Sequence, residues 1–396
     1  MRTLIRLFRI IKHFIILIFA YFLSVFLRPF GKYRNIWLIS ERGDDARDNA
    51  YFFFEYVRKE HPDVNIWYVI KSSSSDYEKV SKYNRTINYS SFKHYLFYAL
   101  AKCRISSNVW GGDLPQTDYF YKTRRIFKSN KKFIFLQHGI TKDYMPELFR
   151  ENCRCSILVC GAKPEYEYLL TYDQPKGVVQ YTGFARFDNL HNAVTKNQIL
   201  IMPTFRKWLQ REDEDFFLNS DYYKQWVSLL SDSELRNILK NNNLKLIFYP
   251  HYEMQRFVHL FKSDCDEVVV ADFDNFDVQQ LLIESKLLIT DFSSVFFDFA
   301  YMDKPLIYYH FDRSKYISEH YDFTKGYFSY DEDGFGKVVF DKDALINAVK
   351  DRIENDFSVE EKYKSRTSKF FTLRDADNCK RIYEAILKLS DKSKEK

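Results

Sequence analysis

Two stretches of this chain repeat one rhythm: an apolar run of strand length, a helical stretch, then another apolar run. In the first stretch the runs fall at residues 35–40 (NIWLIS), 65–70 (NIWYVI), 103–107, 133–137, 156–160 and 178–182, with helical spacing over 50–59. In the second they fall at 199–202, 244–249, 267–271, 287–290 and 306–309, separated by helical spacing over 226–240 and 278–285. Short apolar runs joined by helices are the buried strands of a parallel sheet with crossover connections. The expected fold class is therefore α/β, with two Rossmann-like doubly wound domains. The polar stretch 190–197 (LHNAVTKN) reads as a hinge between them. The boundaries expected are 1–30 for an N-terminal helix, 31–192 and 193–365 for the two α/β domains, and 366–396 for a C-terminal helix (377–389) and charged tail. The length of 396 residues agrees, since a single core rarely grows past about 250–300 residues. Doubly wound sheets bind ligands at the carboxyl ends of their strands, so the chemistry is expected in a cleft lined by strand ends.

Residues 2–27 read RTLIRLFRIIKHFIILIFAYFLSVFL. Arg2, Arg6, Arg9 and His13 recur at helical spacing and share one face, with Leu4, Ile5, Leu7, Phe8, Ile11 and Phe14 largely elsewhere. The apolar run 14–27, whose only polar members are Tyr21 and Ser24, is shorter than the roughly 20 residues that span hydrocarbon. A spanning helix would also bury Lys12 and His13, which is unfavourable. Leu27-Arg28-Pro29-Phe30 offers no small-residue site for signal cleavage. The expectation is an interfacial helix that holds the protein peripherally on the cytoplasmic face of the cell membrane, its basic face on anionic lipids.

Composition excludes several classes. Hydrophobic residues at 46% and charged residues at 29% rule out disorder. The 60 Lys and Arg exceed the 54 Asp and Glu by only +6, too little to indicate a nucleic-acid partner. Six Cys lack any C-x₂-C pairing; Cys153, Cys155 and Cys160 cluster, and all are expected as free thiols of a reducing compartment. There is neither a P-loop nor a G-x-G-x-x-G fingerprint. Asp272-Phe273-Asp274 has the form of a metal-binding D-x-D but reads as a solvated acidic turn. No sequence feature demands a metal, and none requires a cofactor.

Five segments carry chemistry. FIFLQHGITK (133–142) takes an apolar strand into His138-Gly139, where an imidazole is the side chain most readily tuned to accept a proton near neutral pH. Lys142 follows as a point charge for phosphate. LKLIFYPH (244–251) repeats the arrangement, with Pro250 fixing the backbone before His251. LLITDFSSVFFD (287–298) ends a strand at Asp291 and opens a helix at Ser293-Ser294, where a hydroxyl caps the helix and its N-terminus favours an anion. Asp298 shares a face with Ser294 among phenylalanines, a placement that needs a polar partner. GFARFD (183–188) and IMPTFR (201–206) supply Arg186 and Arg206, either of which fits a bidentate phosphate clamp.

HGITK, GFARFD, PTFR, YPH and ITDFSSVFFDFAYMDKP resemble, in order and spacing, the CDP-glycerol glycerophosphotransferase family, bacterial enzymes that build teichoic acids and related phosphate-linked capsule polymers. The resemblance covers residues 35–345 and implies a GT-B-like architecture, two Rossmann-like domains around a cleft. It implies transfer of an alditol phosphate, foremost glycerol phosphate, from a CDP-alditol to a hydroxyl of a lipid-linked or polymeric acceptor, with release of CMP. Matched motif by motif, His138 is the base that takes the acceptor proton, while His251 and the Ser293–Ser294 helix start hold the phosphates. Donor contacts fall on Gly139, Ile140, Thr141, Lys142 and Arg186, then on Pro203, Thr204, Tyr249, Pro250, Ser293, Ser294 and Asp298. Two positions depart from the family: Gln137 stands where Trp is frequent, and Tyr249 where Arg is frequent. The competing readings are a ribitol-phosphate transferase of the same family, a GT-B nucleotide-sugar glycosyltransferase, and a non-enzymatic membrane scaffold. The pair of histidines with an intact Ser-Ser-Asp block argues against the last.

Overall fold

The computed structural model of the chain describes residues 2–109, 114, 131–191, 194–320 and 326–391. Residues 192–193 of the expected hinge, and with them the boundary placed between the two domains, lie outside the described residues, as does 392–396 of the tail. The chain divides into two compact units, one of Met1–His138, Met145–Asp188 and Asp375–Lys396, the other of Gly139–Tyr144 and Asn189–Arg374.

The first unit is built on seven strands: β1 (Trp37–Ser40), β2 (Ile66–Ile70), β3 (Thr86–Asn88), β4 (Cys103–Ser106), β5 (Lys132–Phe135), β6 (Ile157–Cys160) and β7 (Val179–Tyr181). Their order is β3-β2-β1-β4-β5-β6-β7, and every pairing is parallel. Leu38 of β1 pairs with Trp67 on one side and Arg104 on the other, so the topological switch lies between β1 and β4. The second unit repeats the pattern with β8 (Gln198–Met202), β9 (Lys245–Phe248), β10 (Val268–Val270), β11 (Leu287–Thr290), β12 (Leu306–Tyr309) and β13 (Lys337–Val339). Their order is β10-β9-β8-β11-β12-β13, again all parallel, with the switch between β8 and β11. Strands buried on both faces explain the unalternating runs: β1, β4, β6, β8, β11 and β12 have no exposed residue. Ile289, Phe248 and Tyr309 of the second sheet pack against Trp226 and Phe217 of the helices that cover it.

The expected strands are present, with ends that differ by a residue or two. β3 and β13 were not expected; they are three-residue edge strands, β3 with the single apolar residue Ile87 and β13 opening on the exposed Lys337. The single helix expected over 226–240 is two, Asp221–Leu230 and Ser233–Asn241. Asp232 breaks it, because its carboxylate caps the second helix by accepting from the Glu234 and Leu235 N–H groups. The helix Asn378–Asp391 joins the first unit, where Asp188 accepts from the N–H groups of Asn378 and Cys379 and from the Asn378 amide. Gly183 is fixed by this junction: its φ is +74°, and a Cβ there would lie 1.9 Å from Asn378 Oδ1.

The N-terminal segment is one helix, Arg2–Leu27, of 26 residues. By length and composition Ile5–Leu27 is long and apolar enough to cross a membrane, longer than the 14–27 run suggested. Leu17, Ala20 and Ser24 are buried, the first two in a cluster with Tyr95 of the helix Phe92–Leu100. Ile11, Ile15, Ile18, Phe22 and Phe26 are exposed. At about 100° per residue these sets lie on opposite sides of the helix, so its outward face is an apolar stripe. His13, on the basic face, contacts the Tyr95 hydroxyl.

Candidate active site

In the first unit, β5 ends in a turn that presents His138, whose side chain is exposed. Gln137 takes the left-handed conformation, with φ of +56°, which is uncommon for a residue with a side chain. It is buried, and its amide donates to Val159 O at 2.6 Å and to Glu165 Oε1 at 3.1 Å. Glu165 is itself held by the Gly161 N–H. The side chain standing where the family has Trp is thus a structural element of the turn. Arg186 is also buried, and its Nη1 donates to Asp48 Oδ1 at 2.9 Å and to His138 O at 3.0 Å. The Arg186 guanidinium is further flanked by the rings of Phe184 and Phe187. The expected bidentate phosphate clamp is therefore engaged with protein groups.

Asp48 reaches Arg186 because the loop before it is anchored on Glu41. That buried carboxyl accepts from the N–H groups of Arg47, Asp48 and Tyr51 at 2.9–3.1 Å. Burial pushes its pKa up to about 8, with Asp45 and Asp48 adding to the rise and the N–H donors opposing it.

In the second unit the loop Gly139–Tyr144 lies against the start of the helix Val295–Tyr301. A Cβ on Gly139 would sit 2.9 Å from Ser294 Oγ, so a side chain there would have to turn the Ser294 hydroxyl aside. Ile140, Thr141 and Lys142 are buried, and the Lys142 ammonium is paired with the Asp143 carboxylate and lies 5.5 Å from the Tyr330 ring centroid. Of the pair expected to supply a cap, Ser294 makes no side-chain cap hydrogen bond, and Ser293 Oγ accepts from the Val295 N–H only at 3.5 Å. Both hydroxyls thus stand at the end of β11 without a strong capping bond. Asp298 is buried on the same helix.

The adjacent ends of β8 and β11 are tied by Asp291, whose Oδ1 accepts from the Thr204 N–H at 2.7 Å. Thr204 Oγ1 is buried without a hydrogen-bond partner among the described residues. Pro203, Tyr249 and Pro250 are buried at the ends of their strands. His251 caps the helical segment Tyr252–Leu260: its Nδ1 accepts from the Glu253 N–H at 3.2 Å. A neutral imidazole so held carries its proton on Nε2, which makes that nitrogen a donor. Its ring lies 4.9 Å from that of Phe205.

Arg206 does not act as a clamp. It is fully buried, donates through Nε and Nη2 to both Asp312 carboxylate oxygens at 2.7 and 2.9 Å, and pairs with Asp291 at 2.8 Å. Burial opposes its charge, but the two carboxylates outweigh that and hold the guanidinium above its ordinary value. Two further histidines went unnoticed in the sequence. His310 follows β12, bonds through Nε2 to Asp291 O at 3.0 Å, and is pushed down to about 4 by burial. His320 accepts from the Lys207 N–H through Nδ1, and burial, reinforced by Arg206, pushes it down to about 3. The strand-end rule that selected His138 and His251 would have selected His310 as well. Asp48 and Asn49 had no comparable signal, because their roles depend on residues far along the chain.

Asp272 is engaged in its own turn, accepting from Asp274 N and Asn275 N, as a solvated acidic turn requires. The six cysteines are free, all buried except Cys265, and no group of three His, Cys, Asp or Glu suited to a metal occurs among the described residues.

Two parallel sheets in doubly wound order, with imidazoles and hydroxyls at their strand ends, define a GT-B-like transferase fold. The chain belongs to the CDP-glycerol:poly(glycerophosphate) glycerophosphotransferase family, whose model matches residues 20–148 and 171–388. It is 36% identical over 372 residues to the minor teichoic acid biosynthesis protein GgaB of Bacillus subtilis, covering 90% of this chain and 40% of that protein. It is 24% identical to a teichoic acid glycerol-phosphate transferase of Staphylococcus aureus, covering 89% of this chain and 92% of the other. In fold it is similar to the wall teichoic acid polymerase TagF, with a TM-score of 0.67 at 18% identity over 98% of both chains.

Proposed function

We propose that this chain transfers an alditol phosphate, foremost glycerol phosphate, from a CDP-alditol to a hydroxyl of a membrane-linked teichoic-acid-like or capsule polymer. The acceptor oxygen attacks the β-phosphorus, the bond from that phosphorus to the bridging oxygen breaks, and CMP leaves with the electron pair. His138 takes the acceptor proton. His251 donates through Nε2 to the phosphates, with Ser293, Ser294 and the loop Gly139–Lys142 around them, and Thr204 and Asp298 engage the remaining polar groups of the donor. Such a transfer needs positioning and charge stabilisation more than covalent help. The observation that carries this reading is the junction of β8 and β11, where Asp291 ties the strand ends while the hydroxyls of Thr204, Ser293 and Ser294 are left for a ligand. The test is a donor panel of CDP-glycerol, CDP-ribitol and UDP-sugars, each with a lipid-linked glycerol phosphate oligomer. CMP release from CDP-glycerol alone is expected. Release of UDP would instead assign a glycosyltransferase, and CMP from CDP-ribitol alone would change the alditol. His138→Ala should lower single-turnover transfer by roughly 10²–10⁴-fold, the usual worth of general-base catalysis.

In this reading the helix Arg2–Leu27 holds the activity at the cytoplasmic membrane surface. Its apolar stripe enters the acyl boundary, and Arg6, Arg9 and Lys12, all exposed, meet anionic headgroups. Replacing Phe8, Phe19 and Phe22 by Ser should release the protein from anionic vesicles. Retention by such vesicles would remove the helix as the anchor.

A further inference from the structure

The turn that presents His138 is gripped from behind through three successive carbonyls. Asn49 Nδ2 donates to Leu136 O at 3.4 Å and to Gln137 O at 2.7 Å, and Arg186 Nη1 donates to His138 O at 3.0 Å. The two gripping side chains are themselves joined. Asn49 Oδ1 accepts from the Arg186 N–H at 3.1 Å, and Asp48 Oδ1 takes both the Asn49 N–H and the Arg186 guanidinium. Asn49 is fully buried and Arg186 is 8% exposed, so water competes little for these bonds. A turn so held has a reason to be: the left-handed Gln137 costs roughly 1–3 kcal/mol and persists only where its surroundings over-determine it. The His138 residue that follows these bonds is exposed.

We propose that Asn49 and the Asp48–Arg186 ion pair are positioning residues that set the location of the His138 imidazole, and that Arg186 serves transfer through this turn and not through the donor phosphate. The inference rests on the reading of His138 as the base. Displacement of a base by about 1 Å is enough to cost on the order of 10²-fold in rate, while Thr204, His251, Ser293 and Ser294 make none of the three bonds that grip the turn.

The experiment is a double-mutant cycle on the full chain, followed by single-turnover CMP release from CDP-glycerol with a lipid-linked glycerol phosphate oligomer, and by calorimetric donor Kd. Asn49→Asp keeps an oxygen for the Arg186 N–H but removes both donors to the turn. It should slow turnover by roughly 10–100-fold and leave the donor Kd within about twofold. In a His138→Ala background the same change should have no further effect, because the group it positions is gone. Arg186→Lys, which keeps a charge for Asp48 but lacks the planar fork, gives a second cycle should Asn49→Asp fold poorly, and the same loss of effect is expected. An equal penalty in both backgrounds would overturn the proposal, as would wild-type turnover by Asn49→Asp or a donor Kd that weakens in step with the rate. A His138→Ala protein that reacts at the wild-type rate would instead remove the base itself, and absence of CMP release by the wild type would remove the transfer reading; the proposal fails with either.

Discussion

The two units bury different ionisable groups behind the same strand order. Behind the strand ends of the first lie carboxylates, Glu41, Asp45 and Asp48, held by backbone N–H groups and by Arg186. Behind those of the second lie Arg206, locked between Asp291 and Asp312, and the neutral imidazoles of His310 and His320. In the first, polar side chains grip main-chain turns and leave one imidazole, His138, at the surface. In the second, they tie strands together at the switch point, where the Thr204, Ser293 and Ser294 hydroxyls stand. Topology fixes where a ligand approaches such a sheet; the chemistry of the strand ends decides what each sheet contributes.

The largest expected effect falls on the second unit. Arg206→Met leaves Asp291 and Asp312 buried without a counter-charge and should destabilise that unit by about 3–5 kcal/mol. The triple change Arg206→Met, Asp291→Asn, Asp312→Asn should recover much of the loss in denaturant titrations; no recovery would mean that Arg206 acts through shape. In the first unit Gly183→Ala should cost about 1–3 kcal/mol, since the left-handed backbone and the Asn378 side chain both oppose a Cβ. Hydrogen exchange should show that loss in Asn378–Asp391 before it reaches any strand. Ser294→Ala should change stability by less than about 0.5 kcal/mol yet weaken CDP-glycerol binding by about 1.5 kcal/mol, as for a bond to a charged group. Unchanged donor affinity would take Ser294 out of the site.

The two units should also diverge with pH. Glu41 is held up to about 8 when folded, so the stability it contributes is present in acid and is lost as pH rises through that value. His310 and His320 are held down to about 4 and about 3 from an ordinary 6.5, so their contribution is present above 6.5 and is lost as pH falls toward those values. Exchange measured peptide by peptide should show the first unit loosening toward alkaline pH and the second toward acid. Glu41→Gln should abolish the alkaline trend alone; parallel trends in both units would contradict the contrast.

What the sequence disclosed follows from distance along the chain. Interior strands were legible because burial on both faces makes them continuous apolar runs, and His138, His251 and the serines because each directly follows such a run. The edge strands β3 and β13 carry fewer apolar residues, one in β3 and two behind an exposed lysine in β13, and Asp232 ended a helix whose apolar spacing continued past it. Arg186 and Arg206 looked equivalent as exposed clamps. Their fates were decided by Asp48, 138 positions from Arg186, and Asp312, 106 positions from Arg206. No local pattern announces a partner at that separation.

The bond between Asp188 and Asn378 spans 190 positions, and the whole second unit except Gly139–Tyr144 lies between them in sequence. On the ribosome, at about 5–20 residues per second, the first sheet therefore waits for the helix Asn378–Asp391 until the second unit has been synthesised. During that interval the surface awaiting Asn378–Asp391, including the partners of Cys379 and Arg381, is uncovered. The inserted unit, by contrast, has its full sequence by Arg374 and is free to fold first. Synthesis thus reverses the order of the sheets, and a nascent chain stalled before residue 375 should present protease with a closed second sheet and an open first one.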